Sequence, residues 1–154
     1  DFEAIIPISA ANNEGIDIVL NEIRKKLPEG PKYFPDDMLT DQPEKAIVAE
    51  LIREKILMLL SDEVPHGVGV EVSTFKERPN KNLIDISATI YCEKSSHKPI
   101  IIGKEGKMLK KIGSQSREDI ERFLGVKVYL ELWVKVKDDW RNSESMLKTL
   151  GYSK

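Results

Sequence analysis

One cysteine, Cys92, stands in a chain of 154 residues. A single thiol forms no internal disulfide, so nothing here points to an oxidising compartment. The two histidines, His66 and His97, lie far apart with only that thiol to join them, which argues against a zinc site. Long apolar runs are also missing. The longest, Ile56 to Leu60, is far short of the roughly 20 residues that cross a bilayer. Asp1-Phe2-Glu3 lacks the basic start of a secretory signal, and we read the location as cytoplasmic. No G-x-x-x-x-G-K-[ST] string occurs, so there is no phosphate cradle and no hydroxyl for magnesium. This argues against an intact nucleotide-hydrolysing enzyme. Repeats and low-complexity segments are absent too.

What is present is the composition of a soluble folded domain, with 40% hydrophobic and 32% charged residues. The net charge of −2 excludes a chain that is basic all over. Its distribution is uneven. From Lys94 to Arg117 the basic residues 94, 98, 104, 107, 110, 111 and 117 face one acid, Glu105. Such a run is usually a solvated face, and the glycines inside it are what make it informative.

Apolar spacing predicts the elements. Glu3 to Ile8 reads as a short strand, and Gly15 to Leu27 as a helix capped by Asn12 or Asn13. Pro28, Gly30, Pro31 and Pro35 mark a connector, because proline removes donors and biases its predecessor away from helix. Asp41-Gln42-Pro43-Glu44 has the form of a capping box with proline in the first turn. The helix it opens runs to about Leu60 and is stopped by Pro65. Val68 to Phe75 and Leu83 to Cys92 alternate as strands around the turn residues 78–82, giving a hairpin with Cys92 on its apolar face. A helix from Lys107 to Leu124 follows, ended by Gly125. Val126 to Val136 is the most regular alternation in the chain, and a last helix covers Ser143 to Leu150. Helix, strand, strand, glycine loop, helix, strand is an α+β order, a three-stranded sheet with helices on one face.

The chemistry concentrates at Gly103-Lys104-Glu105-Gly106, between the apolar run Pro99 to Ile102 and the long helix. Two glycines three apart let backbone approach a ligand closely. The helix start behind them offers amides and a partial positive charge, which favour phosphate. Lys104, Lys107, Lys110 and Lys111, with Lys98 upstream, add formal charge. Such an assembly suits a sugar-phosphate backbone, leaving bases free to lie along an apolar groove. A bare G-x-x-G is also simply a tight turn before a helix. Extended to Ile102-Gly103-x-x-Gly106-x-x-Leu109-Lys110-Lys111-Ile112 in this element order, it becomes specific.

That segment resembles the KH signature, and the element order resembles a type II KH domain. The strings Tyr33 to Asp41, Glu50 to Ile56 and Leu130 to Val136 resemble the C-terminal half of the Era family of ribosome-assembly GTPases. Pro7-Ile8-Ser9-Ala10-Ala11 resembles the last guanine-contacting motif of a small GTPase, in which a Ser-Ala amide meets the guanine carbonyl. The resemblance implies a GTPase-domain remnant at 1–27 (last strand and helix), a linker at 28–40 and a type II KH domain at 41–154. It implies single-stranded RNA near the 3′ end of small-subunit ribosomal RNA as the target, on the small ribosomal subunit. It further implies GTP and magnesium in the full-length family but not in this chain, a monomer, and peripheral membrane association. RNA contact is thereby carried over to Ile102, Gly103, Lys104, Glu105, Gly106, Lys107, Lys110, Lys111 and Lys98, and a nucleotide-binding remnant to Ser9 and Ala10. Glu105 departs from what suits phosphate, being an acid within the loop.

Other residues carry less. Asn80-Lys81-Asn82-Leu83 lacks the acid of a guanine-specificity motif and reads as the hairpin loop. Trp133 is on the sheet face opposite the core residues; packing is the favoured reading, base stacking the other. His97 reads either as an aid to RNA binding or as a solvated loop residue. The acid pairs 36–37, 118–119 and 138–139 read as capping and solubility at helix ends or loops, with no partner for acid–base work. A protein-interaction module on the same fold remains the alternative to RNA binding.

Overall fold

The computed structural model describes residues 2–31 and 43–152. They belong to two compact units that divide at Thr40 and Asp41. Most of the proline connector, and Asp41 with Gln42 of the capping box, lie outside the described residues, as do Asp36 and Asp37.

In the first unit, residues 3–8 form no strand and pair with none among the described residues. The strand expected there is therefore absent as a strand: a short apolar run makes a ladder only when a partner strand takes its hydrogen bonds. Ser9 and Glu14 close a turn by a pair of backbone hydrogen bonds of 3.1 and 3.0 Å. Helix α1 (Ile16–Lys26) starts at Gly15, not at a side-chain cap from Asn12 or Asn13. Gly15 is required there: at φ 73° an added Cβ would stand 2.5 Å from the Pro7 carbonyl oxygen. The Lys26 ammonium meets Glu3 at 2.7 Å. No residue of α1 is buried.

The second unit holds the core. Helix α2 (Glu44–Leu59) begins one residue after Pro43, whose carbonyl accepts from Ala46 at 2.8 Å. Proline thus occupies the cap position and not the first turn. The helix ends at Leu59, well before Pro65, which instead opens a single tight turn, Pro65–Gly67. Strands β1 (Val68–Glu77) and β2 (Leu83–Cys92) pair antiparallel. The register shifts between Val72 and Thr74, so Ser73 is an extra residue and Phe75 returns to face inward opposite Ile86. A short helix, α3 (His97–Ile102), stands where the sequence suggested only an apolar run. Six residues are too few for a 3.6-residue period to register, and Pro99 is compatible because it sits in the first turn. Helix α4 (Lys107–Leu124) ends on Gly125 at φ 69°, as anticipated. Strand β3 (Lys127–Val136) then pairs parallel to β2, giving the order β1-β2-β3. Helix α5 (Glu144–Thr149) closes the unit.

Helices α2 and α4 cover one face of this sheet. Their stripes Val48, Ile52, Ile56 and Ile112, Ser116, Ile120 meet the inward residues of β1, β2 and β3. Ile52, Ile56, Ile86, Ile90, Ile101, Ile112 and Ile120 are fully buried, each contributing roughly 1.5–3 kcal/mol by leaving water. Cys92 is among them, its thiol donating to the Lys135 carbonyl and pushed up in pKa by burial. His97 is buried on α3, not solvated. On the opposite sheet face Gly69 leaves room for the ring of Trp140 and for Leu150, and the Trp140 indole donates to the Gly67 carbonyl at 3.1 Å. Trp133 does not pack: it is 61% exposed. Asp119 is likewise not a helix-end acid. It lies inside α4 and pairs with Lys55 of α2, and that hydrogen bond, followed by the lysine charge, holds its carboxyl below the usual carboxylate range.

Candidate nucleic-acid interface

The glycine loop is the hinge between α3 and α4. The Gly103 amide donates to the Pro99 carbonyl at 2.8 Å and ends α3. Gly103 then adopts φ 72°, ψ 172°, a region open essentially to glycine alone. Space imposes the same choice: an added Cβ would lie 2.6 Å from Met108 Cβ and 2.9 Å from its amide nitrogen. Lys104–Gly106 forms one tight turn, with the Gly106 amide donating to Gly103 at 3.1 Å and the Lys107 amide to Lys104. Those two amides are therefore already engaged. Attraction for an anion rests on the helix field and the lysines rather than on them.

Gly106 differs from its neighbour. Its φ is 74°, and nothing lies within 4 Å of where a Cβ would project. The first glycine fits against protein; the second faces open space. Between them Glu105 holds φ 53°, ψ 28°, a left-handed conformation uncommon for a residue with a side chain. Its carboxylate meets the Lys107 ammonium at 3.0 Å, both side chains largely in water.

From Gly106 a groove of about 500 Å³ runs between α4 and β3. Leu109, Leu130 and Leu132 give it an apolar floor. Lys110, Ser114 and Arg117 line it with polar groups, three- and four-residue spacing placing them on one side of α4. Gly113 keeps it open: a Cβ there would reach 3.4 Å from Leu132 Cδ1. The groove follows β3 because β3 is the edge strand of the sheet, so α4 overhangs it without a further strand beyond. An apolar slot with cations on its side and a glycine loop at its end accepts flat, weakly polar rings attached to an anionic chain. It holds no acid–base pair.

The residues singled out in the sequence divide accordingly. Gly106 and Lys110 line the groove, Lys104 and Glu105 are exposed on the adjoining loop, and Lys107 is exposed at the first position of α4. Gly103 positions the loop, and Ile102 packs on the core. Lys98 and Lys111 are exposed on α3 and α4 but do not line the groove. Leu130 and Leu132 were legible only as core-facing positions of a strand, Arg117 only as the last member of the basic run, and Gly113 and Ser114 gave no signal apart from their helical spacing to Gly106 and Lys110. Ser9 and Ala10 sit in the turn before α1. The Ser9 amide is bound to Glu14 and its hydroxyl accepts from Asn12 at 3.4 Å, while no described residue accepts from the Ala10 amide. Among the described residues no cluster of three His, Cys, Asp or Glu could hold a metal ion, and no helix is long and apolar enough to cross a membrane.

Comparison with known proteins places this geometry. The KH domain family matches residues 63–141. The chain is 70% identical over 152 residues to the GTPase Era of Ruminiclostridium cellulolyticum, covering 99% of this chain and 51% of that protein. It is 64% identical over 151 residues to the GTPase Era of Alkaliphilus oremlandii, covering 98% and 51%. The chain thus spans about half the length of the curated relatives it matches. Among solved structures it is similar to Aquifex aeolicus Era bound to GDP and AlF4−, with 42% identity and a TM-score of 0.93, covering 99% of this chain and 51% of that one. Era in complex with MgGDPNP and nucleotides 1506–1542 of 16S ribosomal RNA gives the same values.

Proposed function

The chain belongs to the KH domain family, and on that premise we propose that it binds single-stranded RNA, with backbone at the Gly103–Gly106 loop and bases in the groove between α4 and β3. The observation that carries the reading is the continuity of the two: Gly106 belongs to both loop and groove. A strand whose phosphates pass the open side of Gly106 has its bases over Leu109, Leu130 and Leu132, within reach of Lys110 and Arg117. Lys104, Lys107 and Lys111 supply the general field. Lys98, on the far end of α3, adds to it only at long range.

The target we propose is the 3′ region of small-subunit ribosomal RNA, the activity a step in assembly of the small ribosomal subunit. Support comes from the likeness to the Era structure solved with 16S nucleotides 1506–1542. In this reading residues 41–154 are the RNA-binding domain, 28–40 a linker, and 1–27 the last strand and helix of a GTPase domain. Magnesium and GTP belong to the remainder of that domain, since the chain contains no phosphate cradle. Ser9 and Ala10 would contribute the guanine contact through the Ala10 amide. Nucleotide state in the complete protein gates access to RNA, and the chain itself does not hydrolyse GTP. A cytoplasmic monomer with peripheral membrane association completes the reading that the resemblance supports.

Calorimetry of this chain with a short RNA from that region, and separately with GTP, tests it. RNA binding with a log–log salt slope of about −2 is expected, from roughly 0.7 per phosphate and about three phosphates. Binding of GTP with hydrolysis, or failure to bind any single-stranded oligonucleotide, overturns it; the second outcome favours a protein-interaction module.

A further inference from the structure

Glu105 is anomalous on three counts. It carries a negative charge inside a stretch whose other charged residues, from Lys94 to Arg117, are all basic. It holds φ 53° where glycine would be free of strain. Its side chain is exposed on the loop that is read as meeting the RNA backbone. The local geometry supplies what it does there. Its carboxylate lies 3.0 Å from the Lys107 ammonium, and Lys107 is the first residue of α4, next to Gly106 at the groove mouth.

We propose that Glu105 is a clamp on Lys107 that lowers and tunes the affinity of the loop for the RNA backbone. The inference rests on the RNA-binding reading given above. In the free protein the Glu105 carboxylate occupies the Lys107 ammonium. A phosphate must displace it before that lysine counts as a neutralising cation, and must then remain near the released carboxylate. Attraction of the loop for any polyanion is thereby reduced. The apolar groove and its side, Lys110 and Arg117, are left unchanged. The consequence is a site in which base contacts contribute a larger share of the affinity than the bare lysine count implies.

The clamp makes Glu105 and Lys107 energetically coupled, which a role in loop shape does not. Glu105→Gln keeps size and the left-handed conformation while removing the charge. With RNA spanning 16S nucleotides 1506–1542 and this chain, Glu105→Gln is expected to bind about three- to tenfold tighter. The salt slope should steepen by about 0.7, the increment for one further phosphate neutralised. Lys107→Gln alone should weaken binding modestly. In the Lys107→Gln background the gain from Glu105→Gln should shrink to less than about half, because the cation that it releases is gone. Unchanged or weaker binding by Glu105→Gln, or a full gain in the Lys107→Gln background, overturns the clamp while leaving the RNA site standing. Absence of RNA binding by the unmodified chain overturns the site, and the clamp with it.

Discussion

Gly103 and Met108 are in contact across the glycine loop: a Cβ at position 103 would stand 2.6 Å from that of Met108. The loop is thus folded back on the first turn of α4. Gly103→Ala should cost at least about 2 kcal/mol from backbone conformation alone, and RNA affinity should fall as the loop opens. Gly106→Ala meets no atom and should cost only about 1–2 kcal/mol for its left-handed φ. Urea unfolding of the two variants checks the order. Equal costs would mean that the contact with Met108 is not what shapes the loop.

Replacing Lys104 and Glu105 together by Asp should abolish RNA binding and leave the fold in place. Both side chains are exposed, and exposed substitutions of this kind stay within about 0.5 kcal/mol. Far-ultraviolet circular dichroism and urea unfolding give the fold, and an RNA titration gives the binding. Normal RNA binding by a folded double variant would remove the loop from the site.

Gly113→Ala should separate stability from binding. Alanine in mid-helix is better than glycine by about 0.5–1 kcal/mol, and its Cβ would rest at 3.4 Å from Leu132. The variant should therefore resist urea slightly better while binding RNA several-fold more weakly, since the added methyl narrows the groove. Unchanged affinity would place the bases elsewhere.

The Lys55–Asp119 pair ties α2 to α4 and holds the Asp119 carboxyl below its ordinary range. A carboxyl depressed in the folded state adds stability that is complete above the ordinary aspartate value near 4. It is lost as pH falls through the lower folded value. Asp119→Asn should therefore be less stable at pH 7, by up to about 1 kcal/mol. Its deficit should close as pH falls through that lowered folded value. Urea midpoints of the two proteins across pH 2–7 check this, and a constant gap would remove the pair as its cause.

Much of the second unit was legible because its signals are local and periodic. Strand β2 runs from Leu83 to Cys92 and α4 from Lys107 to Leu124, where alternation, helical spacing and Gly125 marked them. Residues 3–8 misled for a physical reason: a short apolar run reports a segment that favours burial, not whether a neighbouring strand exists. Helix α3 was too short to show a period. Tertiary effects account for the other misses. Trp140 is buried only because Gly69, far away in sequence, leaves room for its ring, while Trp133 meets no such opposite. The loop half of the candidate site was readable as G-x-x-G. A groove beside it was expected but its lining was not readable, because Leu130 and Leu132 become a floor only where Gly113 leaves them uncovered.

The parallel pairing of β2 with β3 bears on when the site comes into being. Residues 93–126, which carry α3, the loop and α4, are the crossover between those two strands. Closing that span must come before the ladder can reward it, and such non-local pairing slows folding. The hairpin of β1 and β2 can form early from neighbours in sequence, whereas the groove has no second wall until β3 docks. Refolding from urea should therefore show RNA-binding competence arriving with the slowest step, not with the helix signal of α4.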